Sequence, residues 1–431
     1  MSNVAAPANR RPRRRKVLAL AVATATASTV LAGCGGGSDT TTLTWYINPD
    51  SGGQDAVAEN CSTDAYTIET QVLPQDASQQ RIQLARRLAA GDSSIDLMSI
   101  DPPYTAEFAN AGYLAEIPDE LATKLEEQAF DGAAAAATWD DKLVVAPFWS
   151  NTQVLWYRKS FVEKTDLDMS EPVTWDQIID TAADNGGKVA VQANKYEGYV
   201  VWINALVAGA GGSLVEDAEK GIDATISLDS PECEEAARVI EKLVSSEAAP
   251  ADLSVSNEGT AGTTFGSDEG AFLVNWTYIW HNYDDTAPEV ADDIGFAKYP
   301  QTVEGEESRP PYGGIGIGVS SASNHVEESM EAIECLTSPE NQGINAEITG
   351  NMPSSAGGYD YEPLQEIYPP ELLELFQDSV EAAAPRSVTP YWSDISSAIQ
   401  STWHSPSRVS DSTPSTSTNF IEDVLQGGVL L

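Results

Sequence analysis

From Leu43 onward, short apolar runs alternate with stretches of helical periodicity. Leu43 to Ile47 reads as a strand, broken at Asn48-Pro49-Asp50-Ser51-Gly52-Gly53; a helix is predicted near 54–62 and a second strand at 66–73. Ser78 can cap a helix that turns Ile82, Leu84, Ala85, Leu88 and Ala89 inward and stops at Gly91. Ser94 to Ile100 is a third strand, closed by Asp101-Pro102-Pro103, with helices following at 104–114 and 119–130. This alternation predicts an α/β fold, a sheet with helices on its faces.

The segment Lys142 to Arg158 stands apart. Leu143 to Ala146 and Val154 to Tyr157 read as two short strands, because Pro147 lacks a backbone donor and fixes φ. Between them lie Phe148, Trp149, Ser150, Asn151 and Thr152, aromatics beside short hydrogen-bonding side chains. That mixture suits the wall of a polar ligand site; an ordinary link with a buried Trp is the plainer alternative. Farther on, helices are predicted at Trp175 to Ala183, Tyr199 to Ala208, Pro231 to Ser245, Glu327 to Leu336, 370–383 and 391–403. Strands are predicted at Lys188 to Gln192, Ala271 to Asn275, Ile294 to Lys298 and the glycine-rich Gly313 to Val319. Ser405 to Thr418, rich in Ser, Thr and Pro, reads as a loop or short disordered stretch before a last helix from Asn419 to about Leu425.

The N-terminus changes the picture. Arg10, Arg11, Arg13, Arg14, Arg15 and Lys16 precede a short apolar run, Val17 to Ala32, that is too brief for a confident membrane span. The run ends in Leu31-Ala32-Gly33-Cys34, which resembles a bacterial lipobox. Residues 1–33 are then a signal peptide, Cys34 carries lipid, and 34–41 form a flexible tether. Several acyl chains on one residue give stable anchoring at the outer face of the cell membrane. Arg14-Arg15-Lys16-Val17-Leu18 also fits a twin-arginine export pattern weakly. Without residues 1–33 the chain has 23 − 6 = 17 Lys+Arg against 66 Asp+Glu, a net charge of 17 − 66 = −49. So acidic a surface repels nucleic acid and anionic lipid, leaving the lipid on Cys34 as the membrane contact. The length favours two domains.

Besides Cys34 there are Cys61, Cys233 and Cys335, none in CxxC spacing, and the histidines His281, His325 and His404 stand alone. Neither metal nor cofactor is expected, and an exported chain can hold one disulfide with one thiol over. The chain has no GxSxG, P-loop or HExxH, and Gly313 to Gly318 misses the GxGxxG spacing. A glycosidase pair such as Asp101 with Glu197 stays open, though among 66 acidic residues any two carboxylates say little. What recurs is an amide or charged planar group beside an aromatic at strand C-termini. Trp45 and Tyr46 stand near Asn48 and Asp50, Asp101 near Tyr104, and Trp149 near Asn151. Asn194 and Glu197 accompany Tyr196 and Tyr199, Asn275 accompanies Trp276, and Arg386 precedes Tyr391 and Trp392. Open α/β sheets bind ligands at these edges, and planar polar groups with a stacking ring suit a sugar. Plainer readings exist: Asp50 as a helix cap, Asp101 as the anchor of its Pro-Pro turn, Asn275 as a turn residue, and Trp202 as core.

Several motifs resemble the ABC-transporter solute-binding proteins of the maltodextrin-binding class. They are Ser94 to Asp101, Ala106 to Leu114, Trp175 in its Pro-x-Thr-Trp context, and the lipobox. Gln80 to Leu88, Ala146 to Arg158, Val191 to Trp202, Val274 to Trp276, Gly295 to Pro300, Gly313-Gly314 and Arg386 to Tyr391 resemble the trehalose-binding lipoproteins within that class. The resemblance implies a two-lobe α/β fold with an interlobe ligand cleft and three crossing segments, near 149–152, 311–314 and 354–360. It places lobe 1 at 42–149 and 313–357, and lobe 2 at 150–312 and 358–431. It implies no catalysis and no cofactor. The implied ligand contacts are Asp50, Asp101, Asn151, Glu197, Trp276, Gly314, Arg386 and Tyr391, the ligand a disaccharide, and the partner an ABC permease; a monomer is expected. Cys61 and Cys335 fall at family-like positions and are expected to pair, with Cys233 left reduced.

Overall fold

The computed structural model describes residues 40–429, so the signal peptide, Cys34 and nearly all of the tether lie outside the described residues. Eight strands form one sheet: β1 (Thr41–Ile47), β2 (Tyr66–Val72), β3 (Leu97–Ile100), β4 (Ala146–Arg158), β5 (Lys188–Ala190), β6 (Gly270–Trp276), β7 (Ile294–Ala297) and β8 (Tyr312–Val319). Seven helices matter most for the site: α1 (Gly53–Asn60), α2 (Ala77–Ala89), α3 (Glu197–Gly209), α4 (Tyr278–Thr286), α5 (Pro339–Thr349), α6 (Trp392–Trp403) and α7 (Thr413–Leu425). The order is β2-β1-β3-β8-β4-β6-β5, with β7 also on β4. β1 runs parallel to β2 and β3, each reached through a helix, as strand-helix alternation requires. The α/β architecture expected from the sequence is the one that forms.

Both halves of the sheet hang on β4. Its first part pairs antiparallel with β8, from Ala146 opposite Ile317 to Thr152 opposite Tyr312. Its last part pairs with β6, Gln153 opposite Trp276 and Tyr157 opposite Phe272, and with β7, Arg158 opposite Ile294. The expected pair of short strands broken at Pro147 is therefore corrected: one strand of 13 residues runs through. The proline is tolerated because the ladder is irregular there, the register on β8 shifting between Ile315 and Gly316. Ser150 and Thr152 are fully buried ladder residues rather than a link, and Phe148, equally buried, is the unpaired residue at the irregular step.

Other expectations fail for readable reasons. Helix α2 is capped by Asp76, whose Oδ1 accepts from Gln79 N at 2.9 Å, and Ser78 lies inside the helix. The Ser/Thr/Pro-rich stretch is not a loop throughout: α7 begins at Thr413, with Pro414 in its first turn, where no N–H is needed, and Ser417 buried. Helix α5 carries no large apolar stripe; its buried positions are the amides Asn341, Gln342 and Asn345 with the small Gly343, Ala346 and Thr349. Cys61 and Cys335 form a disulfide with Cα atoms 5.8 Å apart, while Cys233 is a buried free thiol. The core is aromatic: Trp45 packs edge-on to Phe148, Trp156 to Phe376, and Trp175 tilts on Trp202. Among the described residues no helix is long and apolar enough to cross a membrane.

Candidate functional site

Where the two halves of the sheet meet across β4, a cavity of about 460 Å³ opens, a size suited to a small organic ligand. The turn after β1, the start of α2 and Asp101 after β3 line one side; the start of α3, Glu258, Trp276 and Tyr278 line the other. Trp149, Asn151, Gly313, Gly314 and Asn351 complete the wall, and Arg386 enters it from the chain before α6. Asp50, Asp101, Asn151, Glu197, Trp276, Gly314 and Arg386 are thus brought together from seven separate stretches of sequence. Tyr391 is not. It is the residue before α6, and its ring packs over Gly221, where an added Cβ would stand 3.1 Å from it.

Arg386 organises the polar end. Its Nη1 donates to Glu197 Oε1 at 2.9 Å and its Nη2 to Asp101 Oδ1 at 3.0 Å, while the buried Nε has no partner. Glu197 sits in the first turn of α3, where the helix dipole favours a carboxylate. Trp392 Nε1 donates to its Oε1 at 2.9 Å, and the Ser396 hydroxyl donates to its Oε2. Both Glu197 oxygens are therefore committed to protein donors, two of them on α6. Glu197 holds Arg386 in place rather than offering a free carboxylate. Burial pushes the Asp101 carboxyl up to about 6, with Glu197 repelling it as well, although the Arg386 guanidinium pulls the other way. Burial works against the charge on Arg386, yet Asp101 and Glu197 together raise its pKa above the usual value.

A second polar group lies beside it. Burial raises the Glu258 carboxyl, and Asp76 adds repulsion. Burial raises the Tyr196 hydroxyl well above its normal pKa, and the neighbouring Glu258 carboxylate adds to the shift. Sequence reasoning missed Asp76, Gln80, Glu258, Tyr278 and Asn351. For Asp76 and Glu258 the available signal was position, since each begins a helix (α2 and the helix Glu258–Phe265) that points its N-terminus toward the cavity region.

The remaining walls are shape. Asp50 accepts from Gly52 N and Gln54 N, both at 2.9 Å, so its carboxylate fixes the turn into α1. Gly314 has φ +133°, and a Cβ there would stand 2.2 Å from the Trp149 carbonyl oxygen; only glycine lets β8 approach β4 so closely. The Trp276 ring lies against Gly313, where a Cβ would come within 2.8 Å of it. Asn151 is fixed by Thr277 and Asn351. Among the described residues no cluster of His, Cys, Asp or Glu could hold a metal ion.

Several solved structures share this architecture. Maltose-bound MalE3 of T. maritima matches with a TM-score of 0.79 at 21% identity, over 90% of this chain and 100% of that one. The GacH receptor of Streptomyces glaucescens GLA.O, solved unliganded and with acarbose and an acarbose homolog, gives 0.76 at 20% identity over 90% and 98%. The cyclic alpha-maltosyl-1,6-maltose binding protein from Arthrobacter globiformis gives 0.71 at 19% identity over 90% and 100%. Likeness at these identities defines a class by fold alone: the two-lobed α/β architecture of these structures. Sequence takes the second step. Residues 45–343 match the bacterial extracellular solute-binding proteins, and the chain belongs to that family. It is a family of receptors, not of enzymes.

Proposed function

We propose that this protein is a lipid-anchored receptor that captures a disaccharide, trehalose first among them, and delivers it to the membrane permease of an ABC importer. The observation that carries this reading is the pairing, in one cavity, of the Arg386–Asp101–Glu197 cluster with the Trp276 ring. Planar charged groups meet neighbouring hydroxyls at fixed spacing, and an aromatic face covers the apolar C–H side of a sugar ring. Support comes from structural neighbours that hold maltose or acarbose. Further support is the sequence resemblance to the trehalose-binding lipoprotein LpqY, in Asn151 to Arg158 and Glu197 to Trp202 above all. Lobe 1 at 42–149 with 313–357 and lobe 2 at 150–312 with 358–431 agree with a β4 that is shared between two ladders. Cys34 supplies the anchor and the receptor acts as a monomer.

Titration calorimetry against trehalose, maltose, a longer maltodextrin and a polyol tests the proposal. Trehalose is expected to bind most tightly and to be recovered unchanged. Binding confined to maltodextrin or to the polyol would overturn the choice of ligand, and no affinity for any of the four would overturn the receptor reading.

A further inference from the structure

Asn151 is held by two residues from separate stretches of the chain, Thr277, which does not line the cavity, and Asn351, which does. Its Oδ1 accepts from the Thr277 hydroxyl, and its Nδ2 donates to Asn351 Oδ1 at 3.1 Å. Thr277 follows directly on β6 and immediately precedes α4, without capping it through its side chain; Asn351 lies just past α5. The Thr277 hydroxyl also reaches the Gly350 carbonyl at 3.0 Å. One hydroxyl proton is thus shared between two acceptors, so the threonine ties Asn151 to the chain end of α5. Thr277 itself is fully buried and is not among the residues lining the cavity, so it cannot touch a ligand there.

A side-chain amide has an oxygen with two lone pairs and a nitrogen with two hydrogens. In Asn151 one of each is taken by Thr277 and Asn351. The other lone pair and the other hydrogen remain for the cavity that Asn151 lines. Without its two fixed partners the amide could rotate or turn over, and donor and acceptor would exchange places.

We infer that Thr277 and Asn351 are positioning residues that lock the Asn151 amide in one orientation, and that this lock sets how the receptor reads a sugar hydroxyl. The inference rests on the sugar-binding reading above for its ligand, but the lock itself is a property of the empty protein. Thr277→Val removes the hydroxyl and keeps the shape; Thr277→Ser keeps the hydroxyl. With trehalose as the probe, Thr277→Val weakens binding roughly tenfold, the loss of about one well-placed hydrogen bond, and Thr277→Ser restores it. In 15N-asparagine-labelled protein without sugar, the Asn151 NH2 signal is identified by its loss in Asn151→Asp. It is expected to exchange slowly in the native protein and in Thr277→Ser, and fast in Thr277→Val. If Thr277→Val does not fold, Asn351→Ala, at a half-buried position, removes the other bond; because Asn351 also lines the cavity, its readout is the Asn151 signal without sugar, which must again exchange fast. A Thr277→Val protein with unchanged affinity and an unchanged Asn151 signal would overturn the inference. If the native protein binds no sugar, the ligand reading falls while the NMR comparison still decides whether the lock exists.

Discussion

Asp101→Asn should make the protein more stable and a worse receptor. The wild-type carboxyl is raised from 3.8 to about 6 by burial, with Glu197 adding to the shift. Between those values the folded protein keeps a proton that the unfolded chain has released. Stability from this group is therefore complete below pH 3.8 and lost as the pH rises through about 6. A shift of two units at the usual cost per unit amounts to about 3 kcal/mol above pH 7. Asparagine has nearly the same shape, still accepts from Arg386 through an oxygen, and carries no charge to bury. The variant should match the wild type near pH 4 and exceed it by up to ~3 kcal/mol at pH 8, since the Asp101 side chain is only 20% exposed. Urea unfolding followed by tryptophan fluorescence at half-unit steps from pH 4 to 8 measures the difference directly. Trehalose affinity at pH 7.5 should fall at the same time, because the carboxylate is the stronger acceptor for a hydroxyl. A stability difference that does not change with pH, or a variant less stable than wild type at pH 8, would refute the reasoning.

Trp276→Ala should lower trehalose and maltose affinities in parallel, by about tenfold or more, because stacking area is lost whichever linkage the sugar has; calorimetry with both sugars checks this. Gly314→Ala places a Cβ 2.2 Å from the Trp149 carbonyl at φ +133°, and should cost about 3 kcal/mol or more in urea unfolding and abolish ligand binding. Reducing the Cys61–Cys335 bridge, which spans 274 positions, should lower stability by ~2–5 kcal/mol, and non-reducing peptide mapping should recover Cys233 as a free thiol.

Much of the strand pattern was legible because buried strands must be apolar: β1, β3 and β6 follow Leu43 to Ile47, Ser94 to Ile100 and Ala271 to Asn275 closely. The reading failed where local chemistry was overruled by a partner. Pro147 should have ended a strand, but an irregular step on β8 accommodates it. Helix α5 escaped detection because its buried face is amides and small residues: Gln342 donates to Thr337 O at 2.8 Å, and Asn341 to Cys335 O at 2.8 Å, so no apolar period marks it. In the site, Arg386 and Glu197 could be singled out because basic residues are scarce and aromatics stand beside both. Asp76 and Glu258 offered only their positions at helix starts, a weak signal among 66 acidic residues until the fold places them in a cavity. Nor could sequence tell that Glu197 spends both oxygens on protein donors, because those donors, Arg386, Trp392 and Ser396, lie 189 to 199 positions away.

The single strand β4 also governs how the chain reaches its folded state. Thr152 pairs with Tyr312, a separation of 312 − 152 = 160 positions, and Ala146 pairs with Ile317 still farther along. Closing a ladder over such a distance fixes a long loop before any contact rewards it, which places folding at the slow end of the range for its size. During synthesis the central sheet cannot close until residues beyond 317 have left the ribosome. The growing polypeptide therefore cannot complete its central sheet until late in its own production, although β1, β2 and β3, all within the first hundred residues, can pair long before.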